Sequence, residues 1–269
     1  MPRVALVFPP QGHFTQPYLS LPTLTAYLRQ QGYEDVHQLD VNIEAYDYFL
    51  SEERLRLSLE RIRTRDGFAA LDNREQLRFS DFERYQALSE IELSGDAVAA
   101  SIDEAKHVLR TRAEFYDYER YLWAARTIEQ GLRLFSEEFA PSKISPHGFV
   151  TRYRIERSSD IIAALDDEAE NPFIEYFRTF TVPRLEALDP DLVGISLTYP
   201  SQAIPALTLA KQLKAWKPEV HITMGGGLLA YIAEKLSKRE EIWSLVDSLA
   251  LLEGERPLQQ LCEVLDGER

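Results

Sequence analysis

Asp191-Leu-Val-Gly-Ile-Ser-Leu-Thr-Tyr-Pro-Ser-Gln202 and, after a helical interval, His221-Ile-Thr-Met-Gly-Gly-Gly-Leu228 decide how this chain is read. Each begins as a continuous apolar run and ends in small or hydroxyl residues, the pattern of a strand buried on both faces. Between them, residues 204–216 repeat apolar side chains at helical spacing. Strand, helix and strand make a parallel crossover. Parallel strands leave their loops on one edge of the sheet, where doubly wound folds bind ligands. Two small-residue loops on that edge let something large and flat, or a phosphate, approach the backbone closely.

Working outward, the same alternation continues. Val4-Ala-Leu-Val-Phe8 is a first, continuous apolar strand. The loop from Pro9 to Pro17 leads to a helix with Ser20 as its expected N-cap, Pro22 in its first turn and Gly32 just past its end. Residues 36–42 form a second, alternating strand. Toward the C-terminus, residues 192–197, 221–224 and 246–252 read as strands, and 204–216, 228–236 and 257–265 as helices. The fold class is therefore α/β: a flavodoxin-like, doubly wound, five-stranded parallel sheet of order 2-1-3-4-5, formed by residues 1–42 and 184–269.

Residues 43–183 are a mainly helical insertion after the second strand. No proline occurs between Pro22 and Pro141, a spacing that only helices explain well. Leu55, Leu59 and Ile62 fall on one helical face, as do Tyr118, Tyr121, Leu122 and Ala125, then Ile128, Leu132 and Phe135. Aromatic residues are dense from Phe115 to Phe139 and from Phe173 to Phe180. Two readings stand for this insert: a helical cap, or a docking face for another domain.

Composition narrows the function classes. The 269 residues are 45% hydrophobic and 28% charged, enough for a sizeable core without a staple. A net charge of −14 leaves no excess of Lys and Arg to neutralise phosphates, so nucleic acid is not an expected partner. The single cysteine, Cys262, excludes a disulfide framework, a Cys-rich zinc site and an internally ligated iron–sulfur cluster. It reads as a small buried hydrophobe. No secretory leader pattern is evident and no apolar run reaches the roughly 18 residues of a span, so no membrane partner and a cytoplasmic location are expected.

The motifs concentrate on the ligand edge. Gly225, Gly226 and Gly227 permit positive φ and leave no Cβ against a ligand, and Ser196 and Thr198 offer hydroxyls beside them. A G-x-G-x-x-G fingerprint is missing from the first loop, although Asp40 ends the second strand where a ribose-binding acid sits in dinucleotide folds. The chain has no P-loop. Gly194-Ile-Ser196 begins like a nucleophile elbow, but Thr198 stands where the second glycine is needed. Of the five histidines, none pairs with another at metal-ligand spacing in sequence, and only His13 falls in an edge loop. Glu253 and Gly254 follow the fifth strand on the same edge.

Ser196-Leu-Thr198, 26 intervening residues and Gly225-Gly226 resemble the S-x-[LT] and G-G elements of cobalamin-binding domains. Asp189-Pro-Asp-Leu-Val-Gly-Ile-Ser196, Met224-Gly-Gly-Gly227 and Glu253-Gly-Glu-Arg-Pro257 look like the N-terminal region of cobalamin-dependent radical S-adenosylmethionine enzymes. The Pro9-Pro10 loop and the Asn171-Pro-Phe-Ile174 approach to the third strand fit the same pattern, which covers nearly the whole chain. The resemblance implies a corrin ring on the C-terminal edge of the sheet. It places Gln11, Gly12, His13 and Tyr199 under the ring, Ser196, Thr198, Gly225, Gly226 and Gly227 along a channel for the benzimidazole tail, and Glu253 and Gly254 beside that channel.

Two departures shape the expectation. The D-x-H-x-x-G motif of methionine-synthase-like domains is absent, since Gln11 stands two before His13 and Gln16 three after it. The resemblance therefore implies base-off cobalamin without a protein His ligand. No C-x-x-x-C-x-x-C occurs, so the radical S-adenosylmethionine domain or subunit would be a partner, and the chain alone would be a non-catalytic part of a methyltransferase. Two other readings stay open: a Rossmann-like nucleotide-binding transferase using Asp40, and an interaction protein using the aromatic insert.

Overall fold

The computed structural model describes residues 1–65 and 78–267. In chain order, β1 (Val4–Phe8), α1 (Ser20–Gln30), β2 (Val36–Asp40) and α2 (Val41–Phe49) are followed by α3 (Glu52–Thr64), α4 (Phe79–Arg110) and α5 (Tyr118–Glu138). Two short strands, β3 (Lys143–Ser145) and β4 (Gly148–Val150), precede α6 (Ser158–Ala164). Phe173–Tyr176 is α-helical, Phe177–Thr181 widens into a π-turn, and α7 (Val182–Leu188) continues it. Then come β5 (Leu192–Ser196), α8 (Ala203–Trp216), β6 (His221–Gly225), α9 (Gly227–Leu236), β7 (Ser248–Ala250) and α10 (Glu255–Leu265).

The five-stranded sheet is parallel throughout, in the order β2-β1-β5-β6-β7, with the helical insertion after β2. This is the flavodoxin-like arrangement that the alternation of elements predicts. Val4, Leu6, Phe8 and Leu192 pack with Leu21 and Leu28 of α1 and with Leu258 and Cys262 of α10. Alternate residues Ala5, Val7, Val193 and Ile195 are buried as well, as strands covered on both faces require. Burial pushes the Cys262 thiol up to about 12, which fits a packing role.

The chain forms two compact units, Met1–Ala45 with Pro146–Arg269, and Tyr46–Ser145. The first holds the sheet. In the second, Leu55, Leu59 and Ile62 of α3 and Ile128, Leu132 and Phe135 of α5 are buried, as their spacing predicts. Tyr118 and Tyr121 are not: the first turn of α5 is exposed. Among the described residues, no helix is long and apolar enough to cross a membrane.

Three local expectations change. Ser20 is the first residue of α1 and not its cap; Leu19 holds the cap position without a side-chain bond. Strand β2 stops at Asp40 because the Asp40 carboxylate accepts the Ile43 amide at 3.2 Å and starts α2. The fifth strand is only three residues long. The Val246 amide still donates to Ile242 O at 3.0 Å, and Leu252 turns to φ +62°, out of extended backbone.

Candidate functional site

The loop after β1 is held from below. The Gly12 amide donates to Asn42 Oδ1 at 2.9 Å. A Cβ at Gly12 would lie 3.0 Å from the Phe8 ring, so only glycine passes there without displacing it. Ser201 Oγ donates to the Gln11 carbonyl at 3.0 Å. Gln11 and Gly12 are therefore buried parts of the loop's own support, and His13 is the first residue of the three to reach the surface.

Gln202 is the residue that sequence reasoning missed. It is fully buried. Its Nε2 donates to Pro9 O at 2.7 Å, and its Oε1 accepts the amides of Thr198 at 2.9 Å and Tyr199 at 3.0 Å. One neutral side chain thus ties the β1 loop to the β5 loop. A signal existed: Tyr199-Pro-Ser-Gln202 puts Gln at the third position of a helical start, where it reaches back to the cap amide.

The loops after β5 and β6 meet backbone to backbone. The Leu197 amide donates to Gly225 O at 2.6 Å. Gly226 has φ +112°, and a Cβ there would lie 2.4 Å from Leu197 O. The glycine at 226 is accordingly demanded by the protein's own backbone. Gly227, the first residue of α9, is different: nothing lies within 4 Å of its Cβ position. Ser196 is buried at the end of β5, and Tyr199 is exposed. Thr198 Oγ1 is out of solvent with no hydrogen-bond partner among the described residues, an arrangement proteins rarely leave unexplained.

On the loop after β7, Glu253 is exposed and Gly254 is half-buried, with its Cβ position 3.2 Å from Leu24. The strained Leu252 just before them points 76% exposed into solvent. Asp40 is half-buried. Burial pushes its carboxyl up, against the hydrogen bonds it accepts from the Ile43 and Asn42 amides. Its acceptor capacity is partly spent on starting α2.

The fold also brings together two histidines that sequence spacing keeps far apart. The rings of His13 and His147 lie 5.4 Å apart, centroid to centroid, at 49°. Thr15 Oγ1 is 2.8 Å from His13 Nδ1. Burial and the neighbouring His147 push the His13 imidazole below its ordinary value. Among the described residues, no three His, Cys, Asp or Glu side chains converge as a metal-binding group. Comparison of the chain with family models, curated proteins and solved structures returns no match.

Proposed function

We propose that the chain is a cobalamin-binding module, holding methylcobalamin for radical-based methyl transfer carried out with an S-adenosylmethionine-cleaving partner domain or subunit. The observation that carries this reading is the buried, unpartnered Thr198 hydroxyl beside the joined loops of β5 and β6. A hydroxyl kept from water without a partner is costly unless something else bonds to it. Gly227, open above α9, and the exposed Tyr199 ring offer room and an apolar surface on the same edge.

The residues fit such a group in part. Thr198 and Gly227 would face it. Gly226 serves Leu197 instead, and Gln11 and Gly12 support the loop that carries His13. Bound here, cobalamin would supply the transferable methyl group; the chain's own residues would bind and orient the ring and exclude water. The resemblance implies a base-off cofactor without a protein imidazole ligand, and this reading keeps that expectation.

The nucleotide reading is weaker, because the Asp40 carboxylate already caps α2. A specific observation favours the interaction reading as second choice. Phe115, Tyr116, Tyr118 and Tyr121 form an exposed aromatic cluster in the insertion, with Phe115 stacked edge-on to Tyr116 and Tyr121 at 5.4 and 5.3 Å.

The test is reconstitution of the full chain with hydroxocobalamin, desalting and a visible spectrum. Retained corrin absorbance with a base-off spectrum is expected. Gly227→Trp and Thr198→Val should each cut retention by about tenfold or more, the loss of one good contact. Gly226 is unsuitable for this purpose, since any side chain there strikes Leu197. If the parent chain retains no corrin, the cobalamin reading fails and the aromatic cluster becomes the leading candidate.

A further inference from the structure

We propose that His13 and His147 form a two-imidazole site for a divalent transition-metal ion, zinc, nickel or copper. The geometry is the first support. Zinc–nitrogen bonds of about 2.0–2.1 Å and a tetrahedral angle put two ligating imidazole centres about 5 Å apart. The His13 and His147 centroids stand at 5.4 Å, tilted by 49°, which suits one shared ion better than flat stacking.

The second support is how the two rings are carried. Ser201 lies against both loops: its Oγ bonds the carbonyl of Gln11, two residues before His13, and its Cβ is 3.3 Å from the Cβ position of Gly148, the residue after His147. Gly148 has φ +151°, at the margin of what side-chain-bearing residues adopt. The loop that carries His13 is fixed again by the Gly12–Asn42 bond. The spacing of the pair is thus set by a common scaffold, not by two free loops.

Thr15 supplies the outer contact that metal-ligating histidines usually have. Its hydroxyl is 2.8 Å from His13 Nδ1 and its amide 3.3 Å away. In the tautomer that ligates through Nε2, Nδ1–H donates to the Thr15 hydroxyl and gives up the longer amide contact. Imidazole suits zinc, copper and nickel, and water fills the remaining positions of the ion. The other three histidines have different partners: His37 Nε2 meets Asp35 at 2.7 Å, His107 Nε2 is 3.5 Å from Glu114, and His221 Nε2 meets Ser248 at 2.8 Å.

Calorimetric titration of the corrin-free full chain with zinc chloride tests the proposal. One equivalent is expected to bind. His13→Ala and His147→Ala should each weaken binding by about tenfold or more, and the double variant little further, because both ligands serve one ion. His107→Ala should bind as the parent does. Thr15→Val should weaken binding about tenfold while leaving both imidazoles in place. Copper electron paramagnetic resonance gives a second readout: two nitrogen ligands in the parent and one in each single variant. Both histidines lie outside the core, so unchanged unfolding midpoints accompany these results. Zinc affinity in His147→Ala equal to the parent's, or a parent that takes up no zinc, overturns the site.

Discussion

The sheet unit and the insertion unit handle buried polarity in opposite ways. In the sheet unit, Gln202 joins the β1 and β5 loops through three neutral hydrogen bonds. Asn171 does similar work near α8, donating to Ala164 O and Thr208 Oγ1 at 2.9 Å each. In the insertion unit the polar core is ionic. Arg54 of α3 pairs with Glu138 of α5 at 2.8 Å, and both side chains are almost fully buried. Ser58 and Arg61 bond the same carboxylate, and Arg54 lies over the Phe135 ring at 4.7 Å. Neutral amides fix loop geometry whatever the pH. A buried ion pair fixes helix register but fails when either charge is lost.

The largest effect expected from that contrast is on the ion pair. Arg54→Met should destabilise the insertion by about 3–5 kcal/mol, since it leaves Glu138 charged, buried and poorly compensated. The double variant Arg54→Met with Glu138→Leu should recover most of the loss. Trp123 lies in the insertion and Trp216 and Trp243 in the sheet unit, so urea unfolding of single-tryptophan variants separates the two. The pH response has a definite sign. Burial raises the Glu138 carboxyl, but Arg54, with help from Arg61 and Ser58, outweighs burial and holds it below the ordinary range. Its stabilising contribution is therefore complete above the ordinary carboxylate pKa and is lost as pH falls through the lower folded value. An insertion whose Trp123 transition shows no such acid loss, while the parent sheet unit does, would invert the comparison.

Gln202→Met should have the next largest effect. It strands the buried Pro9 O and the part-buried amides of Thr198 and Tyr199, at a cost of about 2–3 kcal/mol. Because the lost groups are neutral, the loss read from Trp216 should be the same at pH 5 and pH 7. A pH-dependent loss would show that charge also supports this edge.

How far the sequence revealed these features follows from their physics. Continuous runs such as Val4–Phe8 and Leu192–Ser196 are legible because burial on both faces leaves one kind of residue. The short β7 was less so: Val246 is apolar but serves the preceding turn, and periodicity cannot tell the two apart. Tyr118 and Tyr121 have helical spacing yet face solvent, since spacing marks a face and not what covers it. Arg54 and Glu138 look like solvated helix residues until both helices are packed. The pairing of His13 with His147 depends on tertiary closure alone. At the candidate site the glycine run was legible, but the reason for Gly226, a carbonyl 2.4 Å from its Cβ position, was not.

Glycine also gives the smallest and most discriminating test of the comparison. Gly95 sits within α4 in the insertion, and a Cβ there would lie 2.5 Å from Leu59 Cδ2. That obstacle is the end of a side chain, which can rotate, whereas the obstacle at Gly226 is backbone. Replacing a mid-helix glycine by alanine gains about 1 kcal/mol of helix stability. Displacing a methyl in a close-packed interface costs about 1–3 kcal/mol when it cannot relax. Gly95→Ala should therefore change the Trp123 transition by no more than about 1 kcal/mol, because the obstacle is the far end of the Leu59 side chain and not backbone. A loss several times larger would mean that the α3–α4 packing is as unyielding as the backbone contact at the sheet edge. The insertion would then owe its rigidity to close packing at Leu59 as much as to the Arg54–Glu138 pair.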